Sequence, residues 1–274
     1  MAITMADIQH LRKMTGAGMM DCKNALNEAE GNFDKAIEII RKKGLAVAAK
    51  REDREAAEGC VLAATNCRFA AIVAVKCETD FVAKGEEFIA MVKKILTLAL
   101  EYQPKTAAEL SELSIDYRKV HELITDRMAV TGEKIELGAY EYLSAPATVA
   151  YVHPGNKLAT IVGFNQDQVD AQVAKDVAMQ VAAMNPVSVD IDSVPAEIVE
   201  KEKKIAREKA IEQGKPDIIL DRIVEGAMIK YYKDFTLLMQ DSVKDSKITI
   251  ADYLKKQNKD LTVTGFKRIN LNVE

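Results

Sequence analysis

The sequence predicts an α+β protein with three parts: an N-terminal three-helix bundle, two related α+β units with antiparallel sheets, and a projecting antiparallel helical hairpin. Three observations carry that expectation. Apolar residues recur at helical spacing through residues 1–50 and are interrupted by glycines. A β-hairpin pattern followed by a helix appears twice without a gap, matching Ala70 with Ala159, Ile72 with Ile161 and Val73 with Val162. From 195 to 232 the chain is rich in charge, helical in period, and broken once at Gly214-Lys215-Pro216.

Thr4-Met5-Ala6-Asp7 has the form of a capping box opening a helix whose apolar face is Ile8, Leu11 and Met14, and Gly16-Ala17-Gly18 breaks it. A second helix runs from Met19 to Glu30 with Ala25 and Leu26 inward and stops at Gly31. Asn32 caps a third, with Phe33, Ala36, Ile37 and Ile40 at helical spacing, and Gly44 ends it. A bundle over 1–50 is too small to bury much surface alone. The charged run Lys50-Arg51-Glu52-Asp53-Arg54-Glu55 then reads as a solvated connector, taken as 51–58.

The first α+β unit is expected over 59–140. Cys60-Val61-Leu62-Ala63 and Phe69 to Val75 read as strands joined by the turn Thr65-Asn66-Cys67-Arg68, and a helix with Phe88, Ile89, Val92, Ile95 and Leu96 inward follows. Thr106-Ala107-Ala108-Glu109 caps a short helix. Asp116 to Val130 forms another with Val120, Leu123 and Ile124 inward, and Glu133 to Leu143 alternates like a strand.

The second unit, 141–274, repeats the pattern: Val149 to Val152, a turn at Pro154-Gly155-Asn156-Lys157, Leu158 to Phe164, then a helix with Val173, Val177 and Val181 inward. Chance periodicity of two hairpins is the alternative. The helical hairpin at 195–232 is inserted here, with Ile198, Ile205 and Ile211 facing Ile219, Ile223 and Ala227. Thr249-Ile250-Ala251-Asp252 caps one more helix, and Leu261 to Val273 alternates as a closing strand.

Composition narrows the function. The 274 residues are 48% hydrophobic, and 38 basic against 42 acidic side chains leave a net charge of -4, so no broad positive field awaits a nucleic-acid backbone. No apolar run approaches the roughly 18 residues of a membrane span, and the first residues lack a signal-peptide core. Four cysteines without a C-x-x-C pair fit a reducing cytoplasm better than a disulfide scaffold.

Catalytic chemistry finds no residues. His10, His121 and His153 stand far apart, and Cys60, Cys67 and Cys77 have spacings that fit no zinc pattern, so buried thiols in a β-rich core are the better reading. No metal or cofactor is expected. Gly16-Ala17-Gly18 lacks the Lys-Ser/Thr continuation of a phosphate-binding loop. One segment stands out: Cys77-Glu78-Thr79-Asp80-Phe81-Val82, where the second hairpin strand meets the next helix. On spacing alone Asp80 caps that helix and Phe81 packs beneath it as a hydrophobic staple; a partner-binding role needs more.

Thr15-Gly16-Ala17-Gly18-Met19-Met20-Asp21-Cys22-Lys23 and Cys77-Glu78-Thr79-Asp80-Phe81-Val82-Ala83-Lys84 resemble the two signature stretches of bacterial translation elongation factor Ts. The resemblance continues in order through Gln180 to Pro186, Val199 to Glu202, Gly214 to Pro216, Val224 to Gly226 and Val263 to Phe266. It implies a ubiquitin-associated-like bundle and a non-enzymatic guanine-nucleotide exchange factor, which binds elongation factor Tu, displaces Mg²⁺ and promotes GDP release. In that family Thr79, Asp80, Phe81 and Val82 would dislocate the magnesium-binding elements. The resemblance also assigns Arg12, Met19 and Met20 to the partner's GTPase domain, with core packing an equal reading of Met20. His153 lies where the family often has a histidine, although Pro154 follows where glycine is more usual. Longer relatives continue into a further helical module. A general protein-binding adaptor and a nucleic-acid or ribosome-binding module are the competing readings, and the acidic balance disfavours the second.

Overall fold

A computed structural model describes residues 3–115 and 117–272 of the chain. Helix α1 (Met5–Thr15) opens on the expected capping box, in which Asp7 N–H donates to Thr4 Oγ1 and Thr4 N–H to Asp7 Oδ2. It closes on Gly16 at φ 70°, a left-handed conformation that glycine takes without a Cβ clash. α2 (Met19–Glu28) and α3 (Phe33–Lys50), the latter capped by Asn32, complete a bundle around Ile8, Leu11, Cys22, Leu26, Ala36 and Ile40. Met14 stays exposed instead of joining this face. Gly44 does not end α3. The helix continues to Lys50, and a Cβ at Gly44 would lie 2.7 Å from the carbonyl oxygen of Thr125, so the glycine marks a close approach of two backbones.

β1 (Glu58–Thr65) and β2 (Phe69–Cys77) form the expected hairpin. After the single turn α4 (Asp80–Ala83), α5 (Glu86–Tyr102) lays Phe88, Val92, Ile95 and Leu96 against Cys60, Val73 and Val75. α6 (Ala107–Glu112) is capped by Thr106 and leads into a two-residue ribbon, β3 (Ser114–Ile115) with β4 (Arg118–Lys119). The helix expected from Asp116 begins later. Asp116 lies outside the described residues, and α7 (Val120–Thr131) starts where Lys119 N–H donates to Glu122. β5 (Ile135–Ser144) then pairs antiparallel with β2, giving the order β1-β2-β5 and carrying the sheet past residue 140.

β6 (Ala147–Val152), β7 (Leu158–Phe164) and α8 (Ala171–Met184), capped by Asp170, repeat the hairpin and helix. α9 (Ala196–Glu212) and α10 (Leu220–Phe235) form the helical hairpin. Its seam departs from expectation. Ala210, Leu220, Val224 and Met228 are buried, whereas Ile205, Ile211 and Ile219 are exposed and Ile198, Ile223 and Ala227 only half-buried. A 3-10 turn at Asp217–Ile219 sets the phase of α10, and a shift of one residue turns a helical face by about 100°. α11 (Ile250–Gln257), capped by Thr249, precedes β8 (Val263–Asn270), which completes the order β6-β7-β8. Val273, expected within this strand, lies outside the described residues.

The two sheets pack face to face. Val61, Ala70, Ile72 and Ala74 of the first meet Ala159 and Ile161 of the second, while Val73 faces α5 and Val162 faces α8. Side chains alternate along a strand, so each repeated pair divides the same way between the sheet interface and the helix layer.

Candidate functional site

At the end of β2 the chain leaves the sheet at a buried residue. Cys77 Sγ donates to the carbonyl oxygen of Thr79 at 3.2 Å, which turns the following backbone toward solvent. Thr79 is extended, at φ -122° and ψ 152°, and its Oγ1 accepts from Val82 N–H. The cap is therefore Thr79 and not Asp80. A threonine one position earlier satisfies the N–H of the third helical residue, which leaves Asp80 as the first helical residue.

The Asp80 carboxylate lies 2.7 Å from Lys84 Nζ, spanning the turn. That hydrogen bond and the lysine charge hold its carboxyl below the ordinary carboxylate range, with Lys157 adding a smaller contribution. Val82 packs partly against the core of the first unit and Ala83 is buried. Phe81 does not pack beneath the helix. It is 85% exposed, because a single turn that points Val82 and Ala83 inward points the residue before them outward.

The turn is braced from two sides by residues that spacing alone did not single out. Glu133 accepts from Thr79 N–H at 3.1 Å and from Thr79 Oγ1 at 2.7 Å. Glu78 accepts from Lys134 N–H at 2.6 Å and holds Arg51 Nη1 between its two oxygens at 2.8 and 2.7 Å. Glu78 lies within the signature stretch; Glu133 is brought in by the pairing of β5 with β2, and alternation from Glu133 to Leu143 marks the strand but not its partner.

The remaining candidates lie on separate elements, α1, α2 and the β6–β7 turn. Arg12 is exposed on α1, and its charge acts on Glu87 in the first turn of α5. Met20 is 64% exposed, whereas Met19 is half-buried against the bundle core. His153 is exposed at the β6–β7 turn, where its Nδ1 meets Tyr151 Oη at 3.0 Å. This turn is tied to the first unit: Val61 N–H donates to Asn156 O at 2.6 Å, and Lys157 Nζ lies 2.7 Å from Glu58.

The thiols nearby are poor nucleophiles. Burial pushes Cys60 up to about 11 and Cys77 up to about 12. Cys67, expected to be buried with them, is exposed in the β1–β2 turn at φ 76°. Among the described residues no group of three or more His, Cys, Asp or Glu could hold a metal ion, and no helix is long and apolar enough to cross a membrane. What the arrangement offers is an apolar ring held in solvent beside a carboxylate.

The family described as Elongation factor TS matches residues 78–273. The elongation factor Ts of Azobacteroides pseudotrichonymphae is 69% identical over 274 residues, covering the whole of both chains. That of Porphyromonas gingivalis is 59% identical over 275 residues, again covering both chains completely. That of Amoebophilus asiaticus is 50% identical over 273 residues, covering 98% of this chain and 99% of its own. A family match over residues 78–273, with identity of this size over the whole chain, means that the chain belongs to the elongation factor Ts family of translation elongation factors.

Proposed function

We propose that the chain is a guanine-nucleotide exchange factor for elongation factor Tu, acting in the cytoplasm, and that Thr79, Asp80, Phe81 and Val82 form the part that weakens the partner's hold on Mg²⁺ and GDP. The observation that carries this reading is the 85% exposure of Phe81 on a capped one-turn helix. A phenyl ring so placed contributes nothing to the core, and aromatic side chains are the common anchors of protein interfaces.

The mechanism needs no covalent step. A GTPase holds GDP through backbone amides and through Mg²⁺, which neutralises the phosphate oxygens. Insertion of Phe81 between elements of the GTPase domain shifts the groups that support the ion, and Asp80 offers a carboxylate that competes for their polar contacts. Nucleotide affinity falls as a result. Coupling is reciprocal, so a factor that weakens nucleotide binding is itself bound less tightly once nucleotide returns. GTP then releases the factor.

Arg12, Met20 and His153 extend the proposed surface, since all three are exposed. Met19 contributes mainly through the bundle it packs into. The test is release of fluorescent GDP from elongation factor Tu. The wild-type chain speeds release, and Phe81→Ala slows that effect while the protein stays folded. Release that is unchanged by the wild-type chain rules the function out, and stable binding without faster release favours an adaptor instead.

A further inference from the structure

The helix that carries Phe81 is four residues long, far below the length at which a helix holds itself together in water. Nothing packs on the ring to orient it, since it is 85% exposed. Its direction is therefore set entirely by the backbone beneath it. On the C-terminal side that backbone is anchored by the burial of Ala83. On the N-terminal side the anchor is polar, and it comes from outside the segment.

We infer that Glu133 is a positioning residue for exchange: its carboxylate clamps Thr79 by both N–H and Oγ1 and so aims Phe81, an inference that rests on Phe81 entering the GTPase. Both carboxylate oxygens are used, Oε1 at 2.7 Å from the hydroxyl and Oε2 at 3.1 Å from the amide. The same hydroxyl receives Val82 N–H, so one side chain links the clamp to the helix cap. Glu133 is itself fixed, because its own N–H donates to Thr131 Oγ1 at 3.2 Å in the turn between α7 and β5.

A second carboxylate extends the brace to the bundle. Glu78 binds the Lys134 amide, which follows Glu133 directly, and it binds Arg51 at the C-terminal end of α3. Lys134 Nζ in turn donates to the carbonyl oxygens of Glu52 and Arg54 at 2.9 and 3.0 Å. The stretch between bundle and first unit, expected to be a solvated connector, is thus tied to the root of the Phe81 turn. Bundle and ring are presented to a partner as one piece, which lowers the ordering entropy lost on binding.

The test compares wild type, Glu133→Ala, Phe81→Ala and the double variant in GDP release from elongation factor Tu across a range of factor concentrations. Glu133→Ala should lower the maximal release rate about tenfold while the half-saturating concentration moves less than about twofold, because other surfaces still bind. In the Phe81→Ala background the same change should cost less than about twofold, since the clamp acts only through the ring. A Glu133→Ala rate within about twofold of wild type, or an equal loss with and without Phe81, overturns the inference while leaving the exchange reading standing. No acceleration by wild type removes both. If Glu133→Ala lowers the unfolding midpoint, Glu133→Gln, which keeps the size of the side chain but leaves one acceptor oxygen for the two Thr79 donors, carries the same expectations.

Discussion

Gly44 of α3 and Thr125 of α7 meet backbone to backbone: a Cβ on Gly44 would stand 2.7 Å from the Thr125 carbonyl oxygen and 3.2 Å from the Ala129 methyl. This contact docks the bundle on the first α+β unit, assisted by Arg41 reaching Glu122 at 4.0 Å. In an open helix Gly→Ala stabilises by about 0.5–1 kcal/mol. Here the overpacking penalty of about 1–3 kcal/mol wins. Gly44→Ala should therefore lower the urea midpoint, and faster proteolysis within 51–58 should accompany it as the bundle lifts away.

Phe81→Ala should leave folding stability within about 0.5 kcal/mol of wild type, as expected for a surface position. Phe88→Ala provides the contrast. That ring is 2% exposed, and its removal should cost about 3–5 kcal/mol. Urea denaturation of the two variants separates an interface phenylalanine from a core one within the same protein.

Gln180 is fully buried in α8 and uses its whole amide: Nε2 donates to Gln240 Oε1 at 3.1 Å and to the Asp241 carbonyl at 3.2 Å, and Oε1 accepts from Val243 N–H at 2.9 Å. Gln180→Leu keeps the volume but strands these groups without partners. The oxygen of the buried Gln240 side chain loses its partner at a cost of about 1–3 kcal/mol, so Gln180→Leu should lower stability by about that amount. Calorimetric midpoints of Gln180→Leu and wild type provide the measurement.

The Lys134 amide, and after it Arg51, holds the Glu78 carboxyl below its ordinary value of 4.5. A depressed carboxylate contributes stability that is present above its unfolded value and lost as pH falls through the lower folded one. The stability gap between wild type and Glu78→Gln should thus be constant above about pH 5 and close progressively below about pH 4.5. Denaturant titrations from pH 7 to pH 3 read this directly, and a gap that persists at the acid end contradicts it.

The α+β class, the repeated hairpin and most helix caps were legible because each rests on local chemistry. The capping box at Thr4 and the caps at Asn32, Thr106 and Thr249 need only the next few residues. What escaped depended on distance along the chain. Gly44 carries the signal of a helix end and that of a close approach equally, and only Thr125 decides between them. Likewise Asp80 and Thr79 are both good caps, and the choice follows from the backbone angle at the end of β2. Spacing places Phe81 beneath its helix, and only the family signature points it outward, where the ring stands. Glu133 reaches the turn through strand pairing.

β7 is the middle strand of its sheet, yet its neighbours arrive at very different times. β6 precedes it by one turn, whereas α8, the helical hairpin and α11 all intervene before β8. Until β8 docks, the free edge of Leu158-Ala159-Thr160-Ile161-Val162-Gly163-Phe164 exposes unpaired amides beside apolar side chains. Such an edge recruits strands from other chains, and non-local pairing of this kind is slow to form. Aggregation during refolding should therefore originate in the second unit, where the chain must wait longest to close its own sheet.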